Sequence, residues 1–121
     1  MHELSVAESL VEIACEKAEE LGGVSVEALH VRLGPLAGVV KEALLFSFDL
    51  ATEGTIVAGA RLVVEDVPLT VRCPDCREDR IVEGPPRLRC PECGAATPEV
   101  VSGRELELRA LEVSESAAPH R

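Results

Sequence analysis

Apolar residues recur at helical intervals near the start of the chain. Val6, Leu10, Ile13, Ala14, Ala18 and Leu21 share one side of a 3.6-residue turn until Gly22 and Gly23 break the pattern. Ser5 and Glu8 stand at capping-box spacing, so a helix is predicted from about Val6 to Leu21. The period then falls to two. From Val24 to Leu33, Val31 and Leu33 take one side while His30 and Arg32 take the other, the pattern of a half-buried strand ended by Gly34 and Pro35. Between Val40 and Thr52 the apolar positions Val40, Ala43, Leu44, Phe46, Leu50 and Ala51 cover more than half of a helical circumference. This predicts a well-buried second helix closed near Gly54.

Two further strands are predicted, Ala60 to Val67 and Arg104 to Val113. In the second, Leu106 and Leu108 share a face but Leu111 and Val113 have the opposite parity, which a β-bulge near Arg109 or Ala110 would reconcile. The segment between these strands, Cys73 to Cys93, differs in character. It is rich in Pro, Arg and acidic residues and too poor in apolar ones to form a core, so its stability must come from elsewhere. The tail from Ser114 to Arg121 is small and polar and is expected to fray.

Composition narrows the picture. A chain of 121 residues fits one compact domain, or one plus a small metal-stapled module, and excludes a large multi-domain enzyme. With no Trp or Tyr and two Phe, the core must be aliphatic. A formal charge of -10 disfavours nonspecific nucleic-acid binding and favours cations or basic proteins as partners. The start MHELSVAESLVE lacks the basic and apolar regions of a signal peptide, and there is no apolar run of about 18 residues; a cytoplasmic protein without membrane contact is expected. Five cysteines, an odd number in a reducing compartment, point to thiolate ligands plus one bystander rather than disulfides.

The ligands are recognisable by spacing. Cys73, Cys76, Cys90 and Cys93 form two C-x-x-C pairs separated by 13 residues, and each pair turns tightly enough to aim two sulfurs at one point. Four thiolates select tetrahedral Zn(II) or iron and leave no position for water or substrate, so the site is structural, with binding energy on the order of 10 kcal/mol serving folding. A thioredoxin-like redox pair would open a helix after a strand and would not come doubled with prolines inside. Arg72, Arg77, Arg80, Arg87 and Arg89 crowd the segment as in a nucleic-acid finger, but Asp75, Glu78, Asp79, Glu83 and Glu92 cancel their charge; the arginines are expected to solvate the site. Cys15, beside Ala14 and Ala18, reads as a small packed hydrophobe.

A second donor set stands at the start. The α-amine of Met1, the amides of His2 and Glu3, the His2 imidazole and the Glu3 carboxylate fall within one chelating reach. Such nitrogen and oxygen donors suit Ni(II) or Cu(II), a different metal from the sulfur site. Its amine and imidazole titrate at about 7.7 and 6.5, so affinity would fall steeply with pH across that range. From residue chemistry alone, a penultimate histidine is more often a solvated terminal residue. His30 and His120 read as a strand-surface and a tail residue. A rubredoxin-like iron centre and a zinc-ribbon interaction module with an inert N-terminus also remain open at this level. There is no nucleophile and base pairing, glycine-rich phosphate loop or open metal position, so no enzymatic activity is expected.

The opening MHELSVAESLVEI, then GPLAGVVKEALLFSFDLATEGT, CPDC, CPEC and VVSGRELELRALEV together resemble the HypA/HybF family of hydrogenase maturation nickel-insertion proteins, from Met1 to about Val113. The chain departs from that family's common pattern at Pro35, Ala37 and Lys41. The resemblance implies an α/β fold, two helices on a small three-stranded sheet, with an inserted zinc-ribbon domain. Residues 1–70 and 101–114 would form the nickel-binding domain, 71–100 the zinc domain and 115–121 a flexible tail. It further implies nickel held by the terminal amine of Met1 with His2 and Glu3, structural zinc on Cys73, Cys76, Cys90 and Cys93, and cooperation with the GTPase HypB. The implied acceptor is the large subunit of [NiFe]-hydrogenase, with urease maturation as a further role in some members.

Overall fold

The structure, a computed structural model, describes residues 2–114. The elements run α1 (Glu3–Glu20), β1 (Ser25–Leu33), α2 (Lys41–Thr52), β2 (Arg61–Asp66), β3 (Leu69–Cys73), β4 (Glu78–Val82), β5 (Glu99–Ser102) and β6 (Leu106–Ser114). They make two three-stranded sheets, ordered β2-β1-β6 and β4-β3-β5. Two compact units result. One takes in the chain up to Val31, Val39–Val64 and the chain from Leu108; the other takes in Arg32–Gly38 and Glu65–Glu107.

In the first unit, α1 packs against α2. The buried stripe of α1 is Ala7, Leu10, Val11, Ala14 and Ala18, an i, i+3, i+4, i+7 series whose small residues allow close packing. Ile13 and Leu21, expected in the core, lie beyond this stripe and are exposed. The helix ends where Gly22 and Gly23 adopt φ of 91° and 82° and their amides bond back to Glu19 and Ala18, a left-handed cap that costs glycine little. At the other end the predicted capping box does not form. Ser5 lies inside the helix, whose N-cap is His2 and carries no side-chain cap.

β1 is the central strand of its sheet, and Ala28 and Leu29 are buried in succession. Strand residues point alternately to opposite faces, so this strand is covered on both sides there, more than half-burial implies. In α2 the structure corrects the expectation of a largely buried helix. Its buried stripe is Leu44, Phe48 and Thr52, one residue per turn, while Phe46 is 67% and Leu50 48% exposed. A helix covered along one stripe leaves the rest of its circumference to water, whatever residues stand there. Along β6, Leu106, Leu108 and Leu111 are half-buried while Arg109 and Ala110 are both exposed, so the inward parity changes between Leu108 and Leu111.

The second unit is built on β3, which pairs antiparallel with β4 from Leu69↔Val82 to Cys73↔Glu78 and antiparallel with β5, with a register shift between Thr70 and Val71. Leu69, Val71 and Val82 form its small core, with Leu36 and Val100 packed against it. Leu36 comes from the turn after β1. Main-chain bonds hold that turn: Gly34 N–H donates to the Glu105 carbonyl at 2.8 Å, Leu36 N–H to Gly103 at 2.8 Å and Ala37 N–H to Gly34 at 3.1 Å. The two chains touch so closely that a Cβ on Gly34 would lie 2.2 Å from the Gly103 oxygen.

Candidate metal centre

Each C-x-x-C pair folds into the same turn. After Cys73, the amide of Cys76 points at the Cys73 sulfur at 3.2 Å and that of Arg77 bonds the Cys73 carbonyl at 2.8 Å. After Cys90, the amide of Glu92 points at the Cys90 sulfur at 3.4 Å and that of Gly94 bonds the Cys90 carbonyl at 2.9 Å. The residue that closes each turn has positive φ, 60° at Arg77 and 78° at Gly94. Arg77 is the sole non-glycine in that region among the described residues, so the turn itself imposes the conformation. β3 and β4 flank the first turn, while the Arg89↔Ala96 bridge and the bond from Cys90 N–H to the Ala95 carbonyl at 2.9 Å brace the second.

These turns bring all four sulfurs within 4.8 Å of one another. Cys73 and Cys93 Sγ atoms are 3.5 Å apart, and those of Cys76 and Cys90 4.0 Å. A tetrahedron with metal–sulfur bonds of about 2.3 Å has edges of about 3.8 Å, between the two observed values. Among the described residues, these four are the single group of three or more His, Cys, Asp or Glu side chains gathered to metal-binding distance. Cys15 stands apart, half-buried on α1.

The surroundings favour anionic sulfur. Backbone N–H donors of Cys93 and then Glu92, against the effect of burial, draw the Cys90 thiol down to about 6. At Cys93 the Ala95 amide also favours the thiolate, but hydrogen bonding with Cys73, burial and the neighbouring Cys90 and Cys76 sulfurs outweigh it and push the thiol up to about 12. Thiols this close resist full ionisation unless a cation lies between them, so the donor set fits a divalent metal of tetrahedral preference. Arg80 is held charged, first by its hydrogen bond to Cys76 and also by Glu78 and Cys90. Here the expectation that the arginines solvate the region is too general. Arg80 serves the sulfurs, Arg89 donates to the Gly94 carbonyl at 3.0 Å, and Arg72 pairs with Asp79 at 3.4 Å.

At the other predicted site, Met1 lies outside the described residues. His2 is exposed and adopts φ -86°, ψ 129°, extended backbone just outside the helix, while its carbonyl accepts the Val6 amide at 3.1 Å. Glu3 opens α1, and its carboxylate accepts the main-chain N–H of Val40 at 2.9 Å. That bond first, and then the Glu3 amide, hold the Glu3 carboxyl below its usual range. Val40 was not foreseen as a partner of the terminus; it lies 37 residues away, and no local spacing signals the contact. His30 is on the strand surface as expected, its Nε2 against the Glu112 carboxylate, which also faces Arg61 at 3.7 Å. His120 lies outside the described residues.

Residues 1–113 match the family described as "Hydrogenase/urease nickel incorporation, metallochaperone, hypA". The chain belongs to the HypA family. It is 51% identical over 112 residues to the hydrogenase maturation factor HypA of Chloroflexus aurantiacus, covering 93% of this chain and 98% of that one. It is 54% identical over 114 residues to the HypA of Roseiflexus sp., with 93% and 91% covered. The solution structure of the Ni metallochaperone HypA from Helicobacter pylori is similar in fold, with a TM-score of 0.64, 25% identity and coverage of 93% and 97%. In this HypA-family chain no described helix is long and apolar enough to cross a membrane.

Proposed function

We propose that this protein is a cytoplasmic nickel carrier for hydrogenase maturation. In this reading it takes Ni(II) at its N-terminus, through the Met1 amine with His2 and Glu3, and keeps Zn(II) as a structural ion on Cys73, Cys76, Cys90 and Cys93. With a HypB-type GTPase it passes nickel to the large subunit of [NiFe]-hydrogenase, and it catalyses no reaction itself. Segments 1–70 and 101–114 would serve nickel, and 71–100 zinc. Family membership supports the role.

The observation that carries the nickel assignment is the placement of His2 at the N-cap of α1. The first amides of a helix have no intrahelical acceptor, so main-chain nitrogens at residues 2 and 3 can turn to a metal without unwinding α1. His2 is also exposed, which leaves its imidazole open to capture and to transfer. The sulfur site is closed by four protein donors and has no exit for a delivered ion. Nitrogen-rich donors for Ni(II) and thiolates for Zn(II) keep the two metals apart.

The test is a nickel titration of the untagged chain beside His2→Ala and beside a chain extended ahead of Met1, with zinc content measured in each. Nickel uptake lost in both variants, at unchanged zinc, is the expected result. Unchanged nickel affinity in either one rejects the N-terminal site.

A further inference from the structure

One cation of the second unit is turned toward its core. On β3 the buried residues are Leu69, Val71 and Cys73, which alternate with Thr70 and Arg72. The register sets Val82 opposite Leu69, Arg80 opposite Val71 and Glu78 opposite Cys73, and residues directly opposed in an antiparallel pair share a face. Arg80 therefore stands on the core side of the sheet, beside Val82 and on the side that carries Cys73. Its side chain is 27% exposed, and its Nε is buried without a hydrogen-bond partner. An arginine is costly in such a place unless an anion meets it. The Glu78 carboxylate, 3.5 Å away, is 64% exposed, and a pair so open to water contributes little. The anions that face Arg80 from within are sulfurs: its guanidinium donates to Cys76 and also to Cys90.

Those two cysteines belong to different C-x-x-C pairs, and their sulfurs lie 4.0 Å apart. We propose that Arg80 is the counter-cation of the four-cysteine centre, lying along the Cys76–Cys90 edge, tying the two turns together and raising the affinity of the site for a divalent metal. The proposal rests on the reading of Cys73, Cys76, Cys90 and Cys93 as a zinc site and concerns what closes that site. Four thiolates around a divalent ion keep a net charge of about -2, and burial makes unmatched charge expensive. Main-chain amides reach Cys73 and Cys90, but amides bring no net charge. A guanidinium does, and its planar fork can donate to two acceptors at once. The neighbouring arginines are engaged elsewhere: Arg72, on the opposite face of β3, pairs with Asp79, and Arg89 donates to the Gly94 carbonyl.

The test uses the full chain at one fixed pH. Arg80→Met removes the charge and the donors but keeps an apolar stem beside Val71 and Val82, while Glu78→Gln removes only the exposed ion pair. Zinc affinity is measured by competition with a chelator, and the thiolate-to-metal charge-transfer band is recorded after Co(II) is substituted for zinc. Arg80→Met should weaken zinc binding by about 10- to 100-fold, as loss of a group supporting metal ligands does. It should also move the cobalt band to longer wavelength, because sulfurs relieved of a cationic donor give up charge more easily. Glu78→Gln should stay within about threefold of the parent with its band in place. Zinc affinity within about threefold of the parent in Arg80→Met overturns the proposal, as does a fall in affinity with the band unmoved, which marks a merely structural role. A Glu78→Gln loss as large as that of Arg80→Met overturns it too. Should Arg80→Met fail to fold, Arg80→Gln, which keeps a donor without the charge, is judged by the same two readouts. Cys76→Ser in the same series keeps the two questions apart: if that variant holds zinc as the parent does, it is the four-cysteine site itself that falls.

Discussion

Replacing Gly34 with alanine tests the contact on which the β1–α2 turn depends. Gly34 has no left-handed backbone requirement, so substitution would ordinarily stabilise by about 0.4–1 kcal/mol through the unfolded chain. Here the new methyl would sit 2.2 Å from the Gly103 oxygen and 2.3 Å from its carbonyl carbon, where nonbonded heavy atoms prefer about 3.5 Å or more. Relief demands a separation of about 1 Å between two buried chains. The bonds from Gly34 N–H to Glu105 and from Leu36 N–H to Gly103, both 2.8 Å, cannot survive that shift. Each buried polar group left without a partner costs about 1–3 kcal/mol. The expected net loss is about 2–4 kcal/mol. The protein has no Trp or Tyr, so urea unfolding is followed by circular dichroism and amide spectra rather than intrinsic fluorescence. Protection should fail first at the amides of Gly34 and Leu36. An alanine variant as stable as the parent, with those amides still protected, would falsify the claim that close approach selects glycine here.

Phe48→Ala should cost about 3–5 kcal/mol, because the ring is fully buried. Phe46→Ala, two residues away and mostly exposed, should stay within about 0.5 kcal/mol in the same thermal melt. Thr97 is fully buried with a hydroxyl that has no partner, so Thr97→Val should raise stability by about 1 kcal/mol; a fall would reveal a bond to an ordered water. Stripping metal with a chelator should broaden the amide signals of β3, β4 and β5 while the helical dichroism of α1 and α2 persists, and restored zinc should recover them. The Glu105 carboxyl is held below its usual range, first by the Gly103 amide at 2.7 Å. Its folded value lies beneath its unfolded one, so its stabilisation is complete above the ordinary carboxylate range and is lost as pH falls through the folded value. Gly103 amide exchange should accelerate on acidification, and Glu105→Gln should flatten that profile.

Much of the architecture is visible in residue order, and each exception has its own physical cause. Glycine pairs and period changes mark where α1 stops and β1 begins, because those signals act within a few residues. The Ser5 and Glu8 spacing misled, since α1 begins already at Glu3, whose carboxylate is engaged by the Val40 amide across 37 positions, and no local pattern signals that contact. Phe46 misled in another way: hydrophobicity tells what a residue can bury, not what is present to cover it. Strands β3, β4 and β5 run for only four or five residues and β4 is mostly charged, so none is long enough to show a clear alternation of apolar and polar positions. The four cysteines were legible as a metal site because their spacing is itself the mechanism of convergence. Arg80 as their partner was not, since its place comes from pairing opposite Val71.

The matched turns around the two cysteine pairs leave the stretch joining them unburdened. Within each turn the count of residues is fixed by an amide that must find a sulfur and another that must find a carbonyl. From Glu83 through Arg87 every residue is exposed, with Gly84, Pro85 and Pro86 at the centre. This arm can therefore drift in length and composition between relatives, or accept a grafted label, while either cysteine pair would tolerate no insertion of even one residue.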